Sequence, residues 1–589
     1  MVNDTLEQAS RDAAVQHLKK RRDFRGHLLV YALVNAFLVA IWAVTGIHGF
    51  FWPVFPIAGW GIGVVMNAWD VYWRPRDHRG RHPARDKPPG QARLSGTEPA
   101  GAEDPTARQA SRRQLPPGRR AGLARGGGPP AAWSTSGGGC AMGRSTAARV
   151  PVDRASPADL MQLAADVGPA PMNVGAVLVL GTGPGFSVVE AQRLLGERVH
   201  AVPRLRQRLR RAPPGCGRPF WADDPAFDLR HHVRLLSCPP PGDEQALLEA
   251  AAAVTREPLP RSRPLWSATF VTGLAGGSTG LVIVMNHVLV DGIGGLAVLA
   301  RLVDEVPGLA PGNPEAAGFP VPAPRARTLA ADAWAGRVHR LTHLPRSVRT
   351  IRQGLAELGG ARPPRRLPPT SLNLPTGPRR QLDVVAADLA AIRELGHAHS
   401  GTVNDVILAA VAGALRALLA GRGEELDLVT ISVPVSARQA ATGGQLGNQV
   451  GVMPVALPAS GDLAARVTRI AAITRQRKTA ARAASAALLG PPFRLLAPTG
   501  LLRWFFDRQR LIHTFATNLR GPAEPLTFAG APVRAVIPIP TTTGNVTIAF
   551  GVLSYAGMLR ITVLSDPSRV PDVAVLTAAL RRELASAAC

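Results

Sequence analysis

The chain has 589 residues, of which 46% are hydrophobic, and a formal net charge of +27. This length allows two to four domains with a sizeable core, and the charge favours anionic partners such as a lipid surface or nucleic acid. The four cysteines lie far apart and have neither CxxC nor Cys/His ligand spacing, which argues against a disulfide framework and against a zinc site.

Two apolar segments follow a basic N-terminal stretch, at 28–47 and 50–69, and each is long enough to cross a bilayer. Lysine and arginine flank the pair on both outer sides, whereas the turn between them at 46–49 has neither. The positive-inside rule therefore predicts a transmembrane hairpin over 1–76 with both of its ends in the cytoplasm. Its Asp-x-Tyr-Trp ending at 70–73 resembles a short two-helix membrane module attached to bacterial signalling and enzyme chains. A pair of buried core helices is the alternative.

Residues 77–150 are dominated by Arg, Gly, Pro, Ser and Ala and show no apolar periodicity, which predicts a disordered linker. A nucleic-acid-binding tail is the alternative, but the aromatic interleaving that favours such binding is absent. The composition also resembles translated GC-rich intergenic DNA, so a fusion of two reading frames in one gene is a further hypothesis.

Helix and strand patterns alternate after residue 150 and predict an α/β protein of two lobes. The first lobe covers 151–310 and ends at a Pro-rich break, and an inter-lobe linker with an arginine-rich helix covers 311–370. The second lobe covers 371–589 and has its clearest helix at 403–419. Its apolar runs predict a second sheet with strands at 426–434, 450–457, 533–538, 546–554 and 557–564.

Two apolar stretches of this region each allow two interpretations. The arginine-rich helix at 328–358 could lie on anionic lipid or bridge the lobes as a solvated helix. The segment 493–515 contains Trp504, Phe505 and Phe506, and core packing is its default interpretation. An acyl channel or a membrane-facing helix is the alternative there.

The apolar run 281–285 predicts a buried strand that ends at Asn286-His287, and Asp291-Gly292 follows four residues later. A histidine at a strand end can present its imidazole to a channel, and its pKa near the working pH suits a general base. A satisfied core histidine is the alternative. Asp291 is expected to turn into the lobe and to need a cationic partner, since a buried unpaired carboxylate is costly.

The H-x-x-x-D-G spacing resembles the motif of the acyl-CoA-dependent acyltransferase superfamily. From about residue 156 to 572 the chain is similar to the bacterial wax ester synthase/diacylglycerol acyltransferase family. The matching motifs occur in the family's order: Pro264-Leu265-Trp266, His287 with Asp291-Gly292, Thr402 with Asn404-Asp405, Pro434-Val435-Ser436 with Arg438, Leu446-Gly447-Asn448, Asn518 with Gly521-Pro522, and Ser554-Tyr555-Ala556-Gly557. Two motifs depart from the family: Asn286 replaces its first histidine, and Leu519-Arg520 interrupts the motif around Asn518.

The resemblance implies a two-lobed, chloramphenicol-acetyltransferase-like fold with mixed sheets and with His287 in a tunnel between the lobes. Acyl-CoA is expected to enter as a substrate from one face and the alcohol from the other, without a metal or a cofactor. By motif position, His287 is the general base, and Arg438 is the partner of Asp291. The candidates for oxyanion or substrate binding are Asn404, Asn518, Trp266 and Ser436.

The function implied by the resemblance is transfer of a fatty acyl group from acyl-CoA to diacylglycerol, to a long-chain alcohol, or to both. The enzyme is expected at the bacterial cell membrane, with its catalytic part on the cytoplasmic side and with no nucleic-acid partner. One alternative is a membrane-tethered binding or regulatory protein with an inactive acyltransferase fold. Another is an acyltransferase of a specialised metabolite that uses the same histidine.

Overall fold

The computed structural model describes residues 152–304, 319–342, 367–436, 450–478 and 499–587, with residues 493 and 496. It also describes eleven residues of the two N-terminal apolar segments, namely 28, 31, 32, 34, 35, 57, 59, 60, 61, 63 and 64. The chain forms two compact units, 1–138 and 139–589. The predicted disordered linker lies outside the described residues.

In the N-terminal unit, the described residues of both apolar segments are helical and contact each other. The Tyr31 hydroxyl donates a hydrogen bond of 2.7 Å to the Ile57 carbonyl oxygen, and the Tyr31 ring meets Trp60 edge-on at 5.8 Å. Val64 is buried against the same two aromatic rings. The two segments of the predicted hairpin are therefore packed together.

The larger unit contains two six-stranded mixed sheets, which confirms the predicted α/β fold. The strands of the first sheet are β1 (Asn173–Gly181), β4 (Val233–Ser237), β5 (Trp266–Leu274), β6 (Ser278–Asn286), β11 (Thr527–Phe528) and β12 (Ala531–Ile539). Their order is β11-β12-β1-β6-β5-β4, and β4 and β5 are parallel whereas the other neighbours are antiparallel. Strands β11 and β12 come from the C-terminal part of the chain, so this sheet crosses the boundary at 371 expected between the lobes.

The strands of the second sheet are β7 (Gln381–Asp388), β8 (Leu428–Ser436), β9 (Val450–Pro458), β10 (Thr514–Arg520), β13 (Ile548–Tyr555) and β14 (Met558–Ser565). Their order is β7-β14-β13-β10-β8-β9. Strand β10 runs parallel to both β13 and β8, and the other neighbours are antiparallel. A separate two-stranded sheet consists of β2 (Gln207–Arg210) and β3 (Phe220–Asp223).

Ten helices of the larger unit have both ends within the described residues, apart from two short 3₁₀ turns. They are α1 (Pro157–Ala165), α2 (Val188–His200), α3 (Glu244–Arg256), α4 (Gly292–Leu302), α5 (Ala326–Thr342), α6 (Leu389–Ala398), α7 (Val403–Gly421), α8 (Leu463–Lys478), α9 (Leu501–Phe506) and α10 (Val573–Ala585). Within the part of the chain that the structure describes, helix α7 is long and apolar enough to span a bilayer. Of its apolar 18-residue window, 72% is buried inside the protein, as expected for a central core helix.

Helix α7 begins at a capping box that the sequence motif Thr402-x-x-Asp405 encodes. The Asp405 carboxylate accepts hydrogen bonds from the Thr402 backbone N–H at 2.8 Å and from the Thr402 hydroxyl at 2.7 Å. Its other oxygen accepts from the Thr474 hydroxyl at 2.7 Å, on helix α8. The motif therefore fixes the start of α7 and its packing against α8.

Candidate active site

A cavity of about 1460 Å³ lies against both sheets. On β8 the side chains of Leu428, Thr430, Ser432 and Pro434 line it, because alternate residues of a strand face the same side. The intervening Ile431 is fully buried in the hydrophobic core. The inner face of the second sheet thus forms one wall of the cavity.

Two groups of cavity-lining residues are also exposed to solvent, and we infer an opening of the cavity at each. Leu428 lies at one, and Asn518 at the other. On the parallel pair β8 and β10, Thr514 is opposite Ile431, so Asn518 lies seven residues further along the strands than Leu428. At a rise of about 3.3 Å per residue the openings are separated by about 23 Å. We call them the Leu428 opening and the Asn518 opening.

His287 lines this cavity and directly follows β6, in a turn of three residues. Its backbone N–H donates a hydrogen bond of 2.8 Å to the carbonyl oxygen of Met172, which precedes β1. Because β1 and β6 are central neighbours in the first sheet, this bond fixes the histidine backbone to the centre of that sheet. Strand β6 ends at Asn286, as predicted, and the structure places His287 on the cavity wall.

Asn286 is buried, and its side chain makes two hydrogen bonds that hold the histidine turn. Its Nδ2 donates to Asp166 Oδ2 at 3.3 Å, and its Oδ1 accepts from the Val288 backbone N–H at 3.1 Å. Asp166 Oδ1 also accepts from the Met172 backbone N–H at 2.9 Å. Asp166 therefore connects the two backbone segments that position His287, a role that the sequence did not indicate.

Asp291 is 1% exposed and caps the N-terminus of α4. Its carboxylate accepts a hydrogen bond of 2.7 Å from the Gly294 backbone N–H. A Cβ atom on Gly292 would lie 2.7 Å from Leu519 Cδ2, so glycine allows α4 to approach β10 closely. Arg438, the expected cationic partner of Asp291, lies outside the described residues, and that pairing stays a prediction.

Asn518 and Asn404 lie side by side near the Asn518 opening. Asn518 Nδ2 donates a hydrogen bond of 3.3 Å to Asn404 Oδ1, which joins β10 to the first turn of α7. Asn518 lines the cavity, whereas Asn404 is not among the lining residues. Ser436 is the last residue of β8, and its side chain lies outside the described part of the chain.

Trp266, expected at the substrate, is a core residue of the first lobe and does not line the cavity. Its Nε1 donates a hydrogen bond of 2.7 Å to the Leu205 carbonyl oxygen, and its ring stacks on His232 at 4.6 Å. His232 is also buried, and burial lowers its pKa. The Pro-Leu-Trp motif therefore anchors β5, because a buried indole needs both a large apolar site and an acceptor for its N–H.

The wax ester synthase/diacylglycerol acyltransferase catalytic domain matches residues 155–407, and the WS/DGAT C-terminal domain matches residues 446–587. A putative diacylglycerol O-acyltransferase of Mycobacterium tuberculosis is 30% identical over 417 residues, which are 67% of this chain and 86% of that protein. The chain belongs to the wax ester synthase/diacylglycerol acyltransferase family. A second such M. tuberculosis protein is 32% identical over 443 residues, 69% of this chain and 91% of its own length.

Solved structures show the same fold. The wax ester synthase/diacylglycerol acyltransferase from Marinobacter aquaeolei VT8 has a TM-score of 0.53 and 23% identity, over 74% of this chain and 98% of that one. The starter condensation domain of rhizomide synthetase has a TM-score of 0.50 and 16% identity, over 74% of this chain and 94% of that one.

The family membership makes the chain an acyltransferase. A match of the 2TM domain to residues 12–83 further indicates membrane association.

Proposed function

We propose that the protein is an acyl-CoA-dependent O-acyltransferase that uses His287 as its general base. The acceptor is diacylglycerol, a long-chain alcohol, or both. The observation that carries the proposal is the position of His287 on the wall of a cavity whose lining residues are exposed to solvent at two places. The similarity to mycobacterial proteins named for diacylglycerol acyl transfer supports the acceptor class.

The reaction needs one proton acceptor and no covalent enzyme intermediate. The imidazole of His287 removes the proton from the acceptor hydroxyl, and the oxygen attacks the carbonyl carbon of the thioester. The tetrahedral intermediate then expels the CoA thiolate, and protonated His287 returns the proton to the sulfur. The new ester and free CoA leave the cavity.

The developing oxyanion needs hydrogen-bond donors aimed at it. Asn518 is the better candidate of the two asparagines, because it lines the cavity while Asn404 accepts one of its N–H groups. Asn404 then acts as a positioning residue, since it holds the amide plane of Asn518 in one orientation.

The size and lining of the cavity fit two long apolar substrates. Its volume of about 1460 Å³ exceeds the roughly 300–1,000 Å³ typical of sites for a single small molecule. Apolar side chains such as Val174, Leu296 and Phe515 line it, together with a few polar ones. An acyl chain and the hydrophobic part of an acceptor can therefore lie in it end to end.

The membrane module and the charge pattern support a location at the cell membrane. The 2TM domain match covers the two apolar segments predicted to cross the bilayer. Basic residues flank these segments on both outer sides, so we propose that the catalytic part faces the cytoplasm, where acyl-CoA is made available.

The proposal is tested by the release of free CoA from purified full-length protein supplied with acyl-CoA and a panel of acceptors. The panel contains diacylglycerol, a long-chain alcohol and short polar alcohols, and the ester products are identified by mass. Ester formation with the first two supports the proposal. Turnover only with unrelated polar acceptors would favour an acyltransferase of a specialised metabolite. No CoA release from well-folded protein would favour a binding protein.

A further inference from the structure

Helix α9 is short and exposes most of its apolar side chains. Leu501 is 54% exposed, Trp504 57% and Phe505 38%, and only Leu502 is buried. Large contiguous apolar side chains on a surface mark an interaction site more often than scattered ones do. We call Leu501, Trp504 and Phe505 the α9 face.

The α9 face continues into the active-site cavity at the Leu428 opening. Phe505 belongs both to the exposed surface and to the cavity wall, and Leu428, which is 56% exposed, also lines the cavity. The segment that follows α9 is fixed there, because the Leu367 backbone N–H donates a hydrogen bond of 2.9 Å to the Arg510 carbonyl oxygen. An apolar molecule could therefore pass from the surface into the cavity along the side chains of Phe505 and Leu428.

Helix α9 combines exposed aromatic side chains with neighbouring arginines, as helices in a membrane interface do. Arg503, Arg508 and Arg510 are exposed, against Asp507 in the same segment. The guanidinium of Arg508 lies 5.5 Å from the ring centroid of Trp504. Two acidic residues, Glu425 and Asp427, line the cavity at the same opening, so the apolar side chains contribute more to this surface than net charge does.

We propose that the α9 face, with Leu428, docks on a lipid bilayer and that a bilayer-resident acceptor enters the cavity through the Leu428 opening. This inference rests on the proposed function for the identity of the acceptor. Three observations point to a bilayer as the occupant: the interfacial Trp and Arg composition, the continuity with an apolar cavity, and the membrane module in the same chain. Docking removes the exposed aromatic surface from water and lets the acceptor move between two apolar media.

The test compares two double variants of the full-length protein reconstituted in vesicles. Leu501→Ser with Trp504→Ser removes two residues of the α9 face that do not line the cavity. The control, Trp334→Ser with Val338→Ser, removes a matched pair on α5, where Trp334 is 65% and Val338 44% exposed. We expect the first variant to raise the KM for vesicle-embedded diacylglycerol about tenfold and the control to leave it unchanged. Both should keep the wild-type kcat and KM for a water-soluble alcohol.

A second measurement does not depend on catalysis. Brominated lipids quench the fluorescence of tryptophans that reach the acyl-chain region, and the quenching lost in Trp504→Phe reports Trp504 alone. We expect a clear loss for Trp504→Phe and none for Trp334→Phe. No loss of quenching in Trp504→Phe would overturn the docking proposal even if acyl transfer is observed. Strong quenching of Trp504 without any acyl transfer would instead remove the proposed function and keep the docking surface.

A second copy of the chain is the competing occupant of the α9 face. If Trp504 becomes shielded in lipid-free detergent as protein concentration rises, and lipid adds no further change, then the face is a dimer contact and the bilayer proposal is wrong. Unchanged exposure of Trp504 over the same concentration range supports the bilayer.

Discussion

The two ends of strand β10 contrast in the side chains that surround them. At the Asn518 end, polar side chains hold the histidine turn, α4 and α7 through hydrogen bonds that involve Asp166, Asn286, Asp291 and Asn404. At the Leu428 end, the opening is bordered by exposed apolar side chains of α9 and β8. We infer that the two ends have different roles: the Asn518 end positions the reacting groups, and the Leu428 end admits a lipid substrate.

Removing the proposed general base at the Asn518 end should have the largest effect on turnover. His287→Ala should leave the protein folded and lower kcat by roughly 10²–10⁴-fold, which is the usual contribution of a positioned acid–base group. The pH profile of kcat/KM should show one ionisation in the histidine range in the wild type and lose it in the variant. Asn286→His, which restores the family's usual residue, should be tolerated because an imidazole N–H can also donate to Asp166. Comparable turnover in His287→Ala and wild type would remove the general-base mechanism.

Substitution of the two candidate oxyanion-binding asparagines should have the next largest effect on kcat. If Asn518 stabilises the tetrahedral intermediate, Asn518→Ala should lower kcat about 10²-fold with little change in either KM. Asn404→Ala should cost less, because it removes only the group that orients the Asn518 amide. Steady-state kinetics with both substrates varied decide this, and an equal loss in the two variants would mean that the pair is structural.

Acid should destabilise the Leu428 end of β10 through His513. This residue is 1% exposed, its Nδ1 accepts from the Thr430 N–H at 2.9 Å, and burial lowers its pKa to about 4. The unfolded chain, with a histidine pKa near 6.5, binds the proton more readily, so stability is present above that pH and falls as the pH drops towards 4. We expect a loss of about 2 kcal/mol between pH 7 and pH 5.

The control is His513→Asn, whose Oδ1 can replace Nδ1 as the acceptor for Thr430 without titrating. Urea unfolding at the two pH values should show a smaller pH-dependent loss in this variant than in the wild type. His232 also has a lowered pKa and contributes in the same direction, so the difference between the proteins is the informative quantity. Identical pH dependence in both would show that His513 is not the group responsible.

The smallest expected effect concerns Asp166, which acts on His287 only through backbone and amide contacts. Asp166→Ala should lower kcat about tenfold, because Met172 and Asn286 both lose their hydrogen bonds to Asp166 and the histidine turn is held less firmly. KM for acyl-CoA should stay unchanged, and Asp166→Asn should restore part of the rate since its Oδ1 can still accept a hydrogen bond. If Asp166→Ala lowers the stability of the protein but does not lower kcat at an unchanged KM, then Asp166 has only a structural role.

Local patterns predicted many elements well. The apolar run 281–285 became the core of β6, which ends at Asn286 as expected. The helix predicted at 403–419 is α7, and the five runs expected to be strands are all strands. The order of apolar and polar residues within each of these segments indicates its secondary structure, so residues close in sequence were sufficient to predict these elements.

Contacts between distant residues were not predictable in this way. The run 533–538 reads as a strand, but nothing in it indicates that β12 pairs with β1 instead of joining the second sheet. Trp266 was expected at the substrate and lies in the core, since a motif does not show which way a side chain faces. The link from Asp166 to Asn286 spans 120 residues. The cap formed by Asp291 could have been found, because an aspartate just before a predicted helix is an N-cap signal.

The insertion of β12 beside β1 has a consequence for how the chain matures during synthesis. The first sheet lacks a partner for one side of β1 until residue 539 has left the ribosome. At roughly 5–20 residues per second, the roughly 250 residues after β6 take about 10–50 s to make. During that time the nascent first lobe exposes an open strand edge, which is a site for mispairing with another chain. A fragment ending near residue 310 should therefore aggregate when expressed alone, whereas in the completed chain β12 pairs with β1 and covers this edge.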